Sequence, residues 1–322
     1  MIKIGVIGAG HLGKIHLKIL EKSKKYDLIG YHDNDQKNVI QIKKSNDYTH
    51  FKSIEELIDS VDVVDIVTPT ISHYQIAMMS INKGKHIFIE KPIASNLKEA
   101  EKISSLAKKN RILGQVGHVE RFNPGFKSVI NYIKSPMFIE SHRLAEFNNR
   151  GTDVSVVLDL MIHDIDIILS TVKSKIKSVS SSGIAVISKS PDIANARIEF
   201  ENGCVANLTS SRISLKKMRK TRFFQRDAYI SVDFLEKKAE ILKIMDAPKN
   251  PGEFDMILKN AEGENKRIYF ETPSVNDYNA INQEFDHFAQ CIKKNMSPIV
   301  SLDDGTKALK LANQIIDSFN NE

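Results

Sequence analysis

The chain has 322 residues, of which 41% are hydrophobic and 27% are charged, and its formal net charge is +6. This length exceeds what one hydrophobic core usually organises, so we expect two domains with a ligand cleft. No apolar run is long enough to cross a membrane and no leader pattern follows Met1, so we expect a cytoplasmic protein without a membrane partner. Cys204 and Cys291 have no partners at zinc spacing, which supports neither a disulfide framework nor a structural zinc site.

The first third of the chain alternates short apolar runs with helical patterns. The runs typical of buried strands are IKIGVIG, DLIGYHD, VDVVDIVTP, KHIFIEKP and ILGQVGH. Intervening segments such as SNLKEAEKISSLAKKN begin with serine, carry acidic residues early and end in lysines, as helices do. This βαβ repetition predicts a doubly wound parallel sheet, an α/β Rossmann domain, over residues 1–117.

After NPGF the pattern changes to longer strands joined by turns, typical of an antiparallel sheet. One helical stretch, SVVLDLMIHDIDIILS, lies early in this half, and two more helices are predicted near the end of the chain. We therefore predict a second, α+β domain over residues 118–322.

A basic run, SLKKMRKTRFFQR, extends from Ser214 to Arg226. Three interpretations apply: a nucleic-acid surface, a solvated strand pair, or a positive field that suits a small substrate carrying a diphosphate. We favour the second and third, and expect no nucleic-acid partner.

The glycines of IKIGVIGAGHLGKIH follow the dinucleotide-binding pattern. Gly8 permits a tight turn after the strand, Gly10 lets the backbone approach a pyrophosphate, and Gly13 lets the next helix lie close to the strand. Asp33 ends the second predicted strand, where its carboxylate can accept hydrogen bonds from an adenosine ribose. Its charge favours NAD over NADP, although Lys37 lies nearby.

Two further stretches carry candidate chemistry. Glu90 and Lys91 follow a predicted buried strand, at the edge of the sheet that faces ligands, although a lysine there can also be a plain surface residue. In the helical stretch, Asp159, His163 and Asp166 share one stripe at i, i+4 and i+7. They are compatible with a His and Asp pair that is hydrogen-bonded within the core, with a histidine base oriented by a carboxylate, or with a metal site. The metal site is the least favoured because no third firm ligand is evident.

With these elements in place, the chain resembles the Gfo/Idh/MocA family of sugar and inositol oxidoreductases along nearly its full length. The resemblance rests on GVIGAGHLGKIH, TPTISH, EKP, DLMIHDID and SPIVSLDDGTKALKLANQI. It implies a Rossmann domain followed by a domain with a large, mostly antiparallel open-faced sheet, which often mediates homodimers or homotetramers.

The resemblance also assigns residues. It implies that Lys91, Asp159 and His163 form the active site and also contact substrate, without a metal. His16 matches a common family position, where it packs or caps. The glycine-rich stretch and the resemblance together predict the cofactor-binding residues Gly8, Gly10, His11, Leu12, Gly13, Asp33, Thr68, Pro69, His73, Glu90 and Lys91.

The stretch GQVGHVERFNPGF resembles the branch that oxidises the 3-hydroxyl of UDP-N-acetylglucosamine with NAD, ahead of an aminotransferase in lipid A precursor synthesis. By this resemblance Arg121 and Asn123 face the sugar or its diphosphate. The alternatives are an inositol or other sugar dehydrogenase or reductase of the same family, and a non-catalytic NAD-binding sensor. The polar segment from Asn148 to Asp153, with Gly151, has the composition of a mobile loop beside the substrate.

Overall fold

The computed structural model describes residues 1–147, 154–250, 252 and 256–320, so the segment from Asn148 to Asp153 lies outside the described residues. The chain divides into two compact units, Met1–Val119 with Asn279–Lys310, and Glu120–Tyr278 with Leu311–Glu322. The first division falls close to residue 118, whereas residues 279–310, expected in the second domain, group with the first unit.

The first unit contains a five-stranded parallel sheet with strand order β2-β1-β3-β4-β5. Its strands are β1 (Ile2–Ile7), β2 (Tyr26–His32), β3 (Val63–Ile66), β4 (His86–Glu90) and β5 (Gly114–Gly117). The helices between them are α1 (His11–Glu21), α2 (Gln36–Ser45), α3 (Ile54–Asp59), α4 (His73–Asn82) and α5 (Leu97–Lys109). The strand order reverses at β1 and β3, so their carboxyl ends flank the crevice where such sheets bind ligands.

The second unit contains a nine-stranded sheet with strand order β13-β14-β12-β11-β10-β6-β9-β8-β7. Its strands are β6 (Phe138–Leu144), β7 (Ile176–Ile184), β8 (Ile193–Phe200), β9 (Val205–Ser211), β10 (Met218–Gln225), β11 (Ala228–Asp233), β12 (Lys238–Asp246), β13 (Met256–Lys259) and β14 (Asn265–Glu271). Neighbouring strands pair antiparallel except β6 and β9, which are parallel. The unit also holds helices α6 (Pro124–Val129) and α7 (Ile162–Thr171).

The helical stretch that carries Asp159 and His163 is not uniform. A π-helical turn, Val157–Met161, precedes α7, so Asp159 lies in the wide turn and His163 in the first turn of α7. π-Helical turns are rare and occur frequently at functional sites. The hydrophobic pattern predicted a continuous α-helix, and this prediction is wrong at the beginning of the stretch. Periodicity alone does not distinguish a π turn from an α turn.

Helix α8 (Ala280–Lys294) explains why the end of the chain groups with the first unit, which also holds the start of α9 (Leu302–Asn320). Phe285, Phe288 and Cys291 of α8 belong to the same buried cluster as Ile4 and Phe88 of the parallel sheet. Full burial of each large apolar side chain stabilises a fold by about 1.5–3 kcal/mol. Helix α8 therefore completes the core of the parallel sheet.

Candidate functional site

The three glycines of the first βα turn differ in their surroundings. Gly8 has φ of 96°, and a Cβ there would lie 2.7 Å from the backbone of Val67 and Thr68. A Cβ at Gly13 would collide with the carbonyl oxygen of Gly8, so this helix position needs glycine for close packing. A Cβ at Gly10 would meet nothing within 4 Å. The turn is therefore tight at its two ends and open at its centre, where a ligand can approach the backbone.

Helix α1 begins directly after this open position. Gly10 is its N-cap and supplies no side-chain cap, and the first turn carries His11, Leu12 and Gly13 without an acidic residue. The first N–H groups of a helix have no intrahelical partner and lie at the positive end of its dipole. The N-terminus of α1 therefore suits an anion such as a pyrophosphate.

Asp33 connects this turn to the end of β2. Its Oδ2 accepts a hydrogen bond from the backbone N–H of Ala9 at 2.6 Å and from Nδ2 of Asn38 at 3.3 Å. Its Oδ1 accepts the N–H of Asp35 at 2.7 Å. The carboxylate is therefore held in one orientation beside the glycine-rich turn.

A cavity of about 570 Å³ opens at this place, within the first unit. Its lining includes Gly8, Gly10, Asp33, Asn38, Thr68 and Pro69. A volume of this size accommodates a small ligand. The open backbone, the free helix N-terminus and the fixed carboxylate fit the pyrophosphate and adenosine ribose of a dinucleotide.

His73 is buried between two segments that follow strands of the parallel sheet. It is 1% exposed, with Nδ1 3.0 Å from the carbonyl oxygen of Pro92 and Nε2 2.9 Å from that of Thr68. Burial lowers its pKa. His73 therefore joins the segment after β3 to the segment after β4, and its direct role in cofactor binding stays a prediction.

Glu90 and Lys91 stand at the carboxyl end of β4, as expected from the sequence. The Glu90 carboxylate accepts the backbone N–H of Lys91 at 3.2 Å, and Lys91 is half-buried. Burial raises the pKa of Glu90. The two residues lie in the first unit, at the sheet edge where β1 and β3 also end.

In the second unit, Asp159 and His163 are both half-buried, whereas Asp166 is 2% exposed. Asp166 accepts two hydrogen bonds from Arg121, from Nε at 2.7 Å and from Nη2 at 3.2 Å. Asp166 thus engages two of the five N–H donors of the Arg121 guanidinium, and the substrate contact of Arg121 stays a prediction. Within the described part of the chain, no group of three His, Cys, Asp or Glu side chains is arranged to hold a metal ion.

Asn123 caps helix α6. Its Oδ1 accepts the N–H of Gly125 at 3.0 Å, and its Nδ2 donates to Glu120 at 3.1 Å and to the Phe234 carbonyl at 2.9 Å. The residue is 6% exposed. All the hydrogen-bonding groups of its side chain are engaged inside the unit.

Sequence reasoning missed a buried ion network centred on Arg143 of β6. Arg143 donates to Asp164 at 2.9 and 3.0 Å and to Glu120 at 2.9 Å, and its side chain is 3% exposed. Burial lowers the pKa of Arg143, but the two carboxylates outweigh that effect and raise it. Asp164, a charged residue within an apolar helix, could have indicated a buried ion pair. Its partner, Arg143, could not be identified from the sequence because it lies 21 positions away.

The basic run contains all of β10, and several of its basic side chains lie close to acidic residues. Lys220 lies 3.4 Å from Asp233, and Arg222 lies 3.0 Å from Glu140. Lys217 and Arg219 are 3.8 and 3.7 Å from Glu146 and Glu120. These contacts agree with a solvated strand pair and reduce the positive field that an anionic substrate would meet.

No helix among the described residues has the length and apolar content needed to cross a membrane.

In comparisons with known proteins, the chain matches two family models. The oxidoreductase family model with an NAD-binding Rossmann fold, Gfo/Idh/MocA, covers residues 2–118, and the model of the C-terminal domain of that family covers residues 128–229.

Individual relatives agree with the family models. The chain is 34% identical over 249 residues to the UDP-N-acetylglucosamine 3-dehydrogenase of Acidithiobacillus ferrooxidans, over 74% of this chain and 76% of the relative. It is 26% identical to the scyllo-inositol 2-dehydrogenase (NAD(+)) of Bacillus subtilis, over 99% of this chain and 94% of the relative. A solved structure of the Acidithiobacillus ferrooxidans enzyme superposes with a TM-score of 0.88 at 28% identity, covering 99% of this chain and 98% of that one. The chain therefore belongs to the Gfo/Idh/MocA family of oxidoreductases.

Proposed function

We propose that the protein is an NAD-dependent dehydrogenase that oxidises a secondary hydroxyl of a nucleotide-sugar, with the 3-hydroxyl of UDP-N-acetylglucosamine as the first candidate. The observation that carries this proposal is the similarity, in sequence and in structure, to the enzyme named for that reaction. The stretch GHVERFNP supports the same branch. Its Arg and Asn bind within the protein, so this support comes from the family pattern and not from a contact with substrate.

The proposed mechanism assigns one step to each polar residue. His163 accepts the proton of the sugar hydroxyl on a ring nitrogen, and Asp159 orients the imidazole and stabilises its cation. Lys91 stabilises the negative charge that develops on the hydroxyl oxygen as the carbonyl forms. When bound, NAD supplies the acceptor for the hydride that leaves the carbon. One proton and one hydride leave the substrate, which becomes a ketone.

The preference for NAD is assigned to Asp33, supported by Asp35, because both carboxylates would repel a phosphate on the ribose. We expect Asp33→Ala to weaken NADH binding by about 10- to 100-fold, since it removes hydrogen bonds to a charged group. The same change should narrow the difference in affinity between NADH and NADPH. Calorimetric titration of both cofactors measures these effects.

A matched pair of substitutions in α2 sharpens this prediction. Lys14 donates to Asn38 at 3.1 Å and to Gln41 at 2.5 Å, but only Asn38 of these two contacts Asp33. Asn38→Ala should therefore weaken NADH binding, and Gln41→Ala should leave it unchanged. Unchanged NADH affinity in Asp33→Ala would contradict the assignment.

The substrate is tested by mixing protein and NAD with a panel of nucleotide-sugars, inositols and free hexoses, and following reduced nicotinamide by absorbance. We expect the strongest response to UDP-N-acetylglucosamine. A response to an inositol alone would reject the nucleotide-sugar and favour the second candidate, an inositol dehydrogenase, which the Bacillus subtilis relative supports. Tight NADH binding without turnover of any substrate would favour a sensor.

Three further assignments belong to this proposal. We place the protein in the cytoplasm, where its nucleotide-sugar product would pass to an aminotransferase in lipid A precursor synthesis. We also expect a homodimer or homotetramer formed through the large sheet. Exposed apolar side chains on its outer strands support this: Met256 and Phe270 are 55% and 64% exposed.

A further inference from the structure

A buried group of ionisable side chains in the first unit has no role in the proposed mechanism. His16 of α1 and Asp65 of β3 are both 0% exposed, and His16 Nδ1 lies 2.9 Å from Asp65 Oδ2. The other ring nitrogen, Nε2, lies 3.5 Å from Oε1 of Glu90. Phe88 and Phe285 make T-shaped ring contacts with the imidazole, with ring centroids 6.0 and 5.1 Å from that of His16. Because buried charges are costly, such an arrangement calls for a specific reason.

The two carboxylates define the state of the imidazole between them. A neutral imidazole presents one N–H and one lone pair, so one carboxylate would face a lone pair. An imidazolium presents an N–H to each carboxylate. Burial lowers the pKa of His16, but Asp65, by its charge and hydrogen bond, and Glu90 outweigh that effect and raise it. The ring thus contacts Asp65 through a hydrogen bond and Glu90 through a charge interaction at 3.5 Å.

Glu90 is also confined by Gly117, the residue paired with it in the β4–β5 register. A Cβ at Gly117 would lie 2.5 Å from Oε1 of Glu90, closer than carbon and oxygen atoms can approach. The carboxylate thus fills a slot between the His16 ring and the backbone of β5. From this slot its Oε2 accepts the N–H of Lys91 at 3.2 Å.

We propose that His16 is a positioning residue for Lys91. Asp65 orients His16, His16 and Gly117 fix the carboxylate of Glu90, and Glu90 fixes the backbone amide from which the lysine side chain extends. The inference deepens the proposed function, because its consequence for the reaction rests on the role given to Lys91. It gives His16, otherwise a packing residue, a part in the geometry of the reaction.

His16→Asn separates the two contacts of the imidazole. The asparagine amide takes the place of Nδ1 and keeps a donor for Asp65, but it is too short to reach Glu90. We expect kcat to fall by about 10- to 100-fold, as small misplacements of reacting groups do. The NADH dissociation constant should stay within about twofold, because the ribose and pyrophosphate residues are untouched.

Gly117→Ala displaces Glu90 by a direct steric contact without altering any charge, and should give the same separation of kcat from NADH affinity. Gly114→Ala is the matched control: it is the same change on the same strand, but its Cβ meets the side chain of Leu302. We expect this control to share any loss of thermal stability and to keep the wild-type kcat. Equal losses of kcat in both glycine variants would overturn the proposal.

A measurement independent of turnover separates this inference from the proposed function. Lysines are labelled by reductive ¹³C-methylation, and the Lys91 signal is assigned in the NMR spectrum by its loss in Lys91→Arg. We expect that signal to shift in His16→Asn and Gly117→Ala, and not in Gly114→Ala. An unshifted signal in His16→Asn overturns the positioning role. A shifted signal with unchanged kcat overturns the catalytic role of Lys91 instead.

Discussion

His163→Asn should lower the single-turnover rate of NADH formation by about 100- to 10,000-fold, the usual contribution of a general base. The asparagine side chain is of similar size and polar but cannot accept the hydroxyl proton. Its NADH affinity should stay near that of the wild type, because the residues proposed to bind the dinucleotide lie in the first unit. Rapid mixing of enzyme, NAD and the best substrate of the panel measures the rate.

Lys91→Met provides the companion test. It keeps the length and apolar stem of the side chain but removes the ammonium group, so we expect a large loss of rate. Asp159→Asn should cost less than either change, because Asp159 acts through the orientation of His163. Rates near wild type in both His163→Asn and Lys91→Met would reject the proposed mechanism.

Arg143→Met is expected to cost about 3–5 kcal/mol of unfolding free energy, because removing one partner leaves buried charges without compensation. The side chains of Asp164 and Glu120 are only 3% and 7% exposed, so water replaces the lost guanidinium poorly. Urea denaturation followed by circular dichroism measures the loss. Since the chain has two compact units, the midpoint of each transition should be reported separately.

Arg197→Met is the matched control for this prediction. Arg197 also contacts a carboxylate, that of Glu199 at 3.3 Å, but the two side chains are 48% and 37% exposed. An exposed ion pair contributes about 0–1 kcal/mol, so the control should be nearly as stable as the wild type. Equal losses of unfolding free energy in the two variants would show that the Arg143 network contributes no more to stability than an exposed ion pair.

Local patterns in the sequence predicted the fold class because each pattern has a local physical cause. The parallel strands of the first unit are continuous apolar runs because helices cover both of their faces. The alternation of buried and exposed residues in β8 and β9 reflects a sheet with one covered face. The family models and the sheet order confirm both the resemblance and the fold class.

Contacts between distant positions account for what sequence reasoning missed. Arg121 and Asn123 belong to a recognisable motif, but their partners Asp166 and Phe234 are 45 and 111 positions away. Neither partner follows from periodicity. His16 and Asp65 are likewise 49 positions apart, so their contact could not be predicted from local patterns. Each residue alone resembles an ordinary packing residue. The motif drew attention to these residues, and only the fold shows which side chains each one contacts.

Helix α8 also constrains the order in which the chain can fold. Its residues Phe285 and Phe288 complete the core of the first unit, yet they are synthesised after nearly all of the second unit. Domains generally fold as units during synthesis, the N-terminal one first. The chain must therefore be synthesised beyond residue 291 before α8 can pack against the parallel sheet. A fragment ending at residue 117 would expose Phe88 and its neighbours, so the core of the first unit can be completed only after most of the second unit has been synthesised.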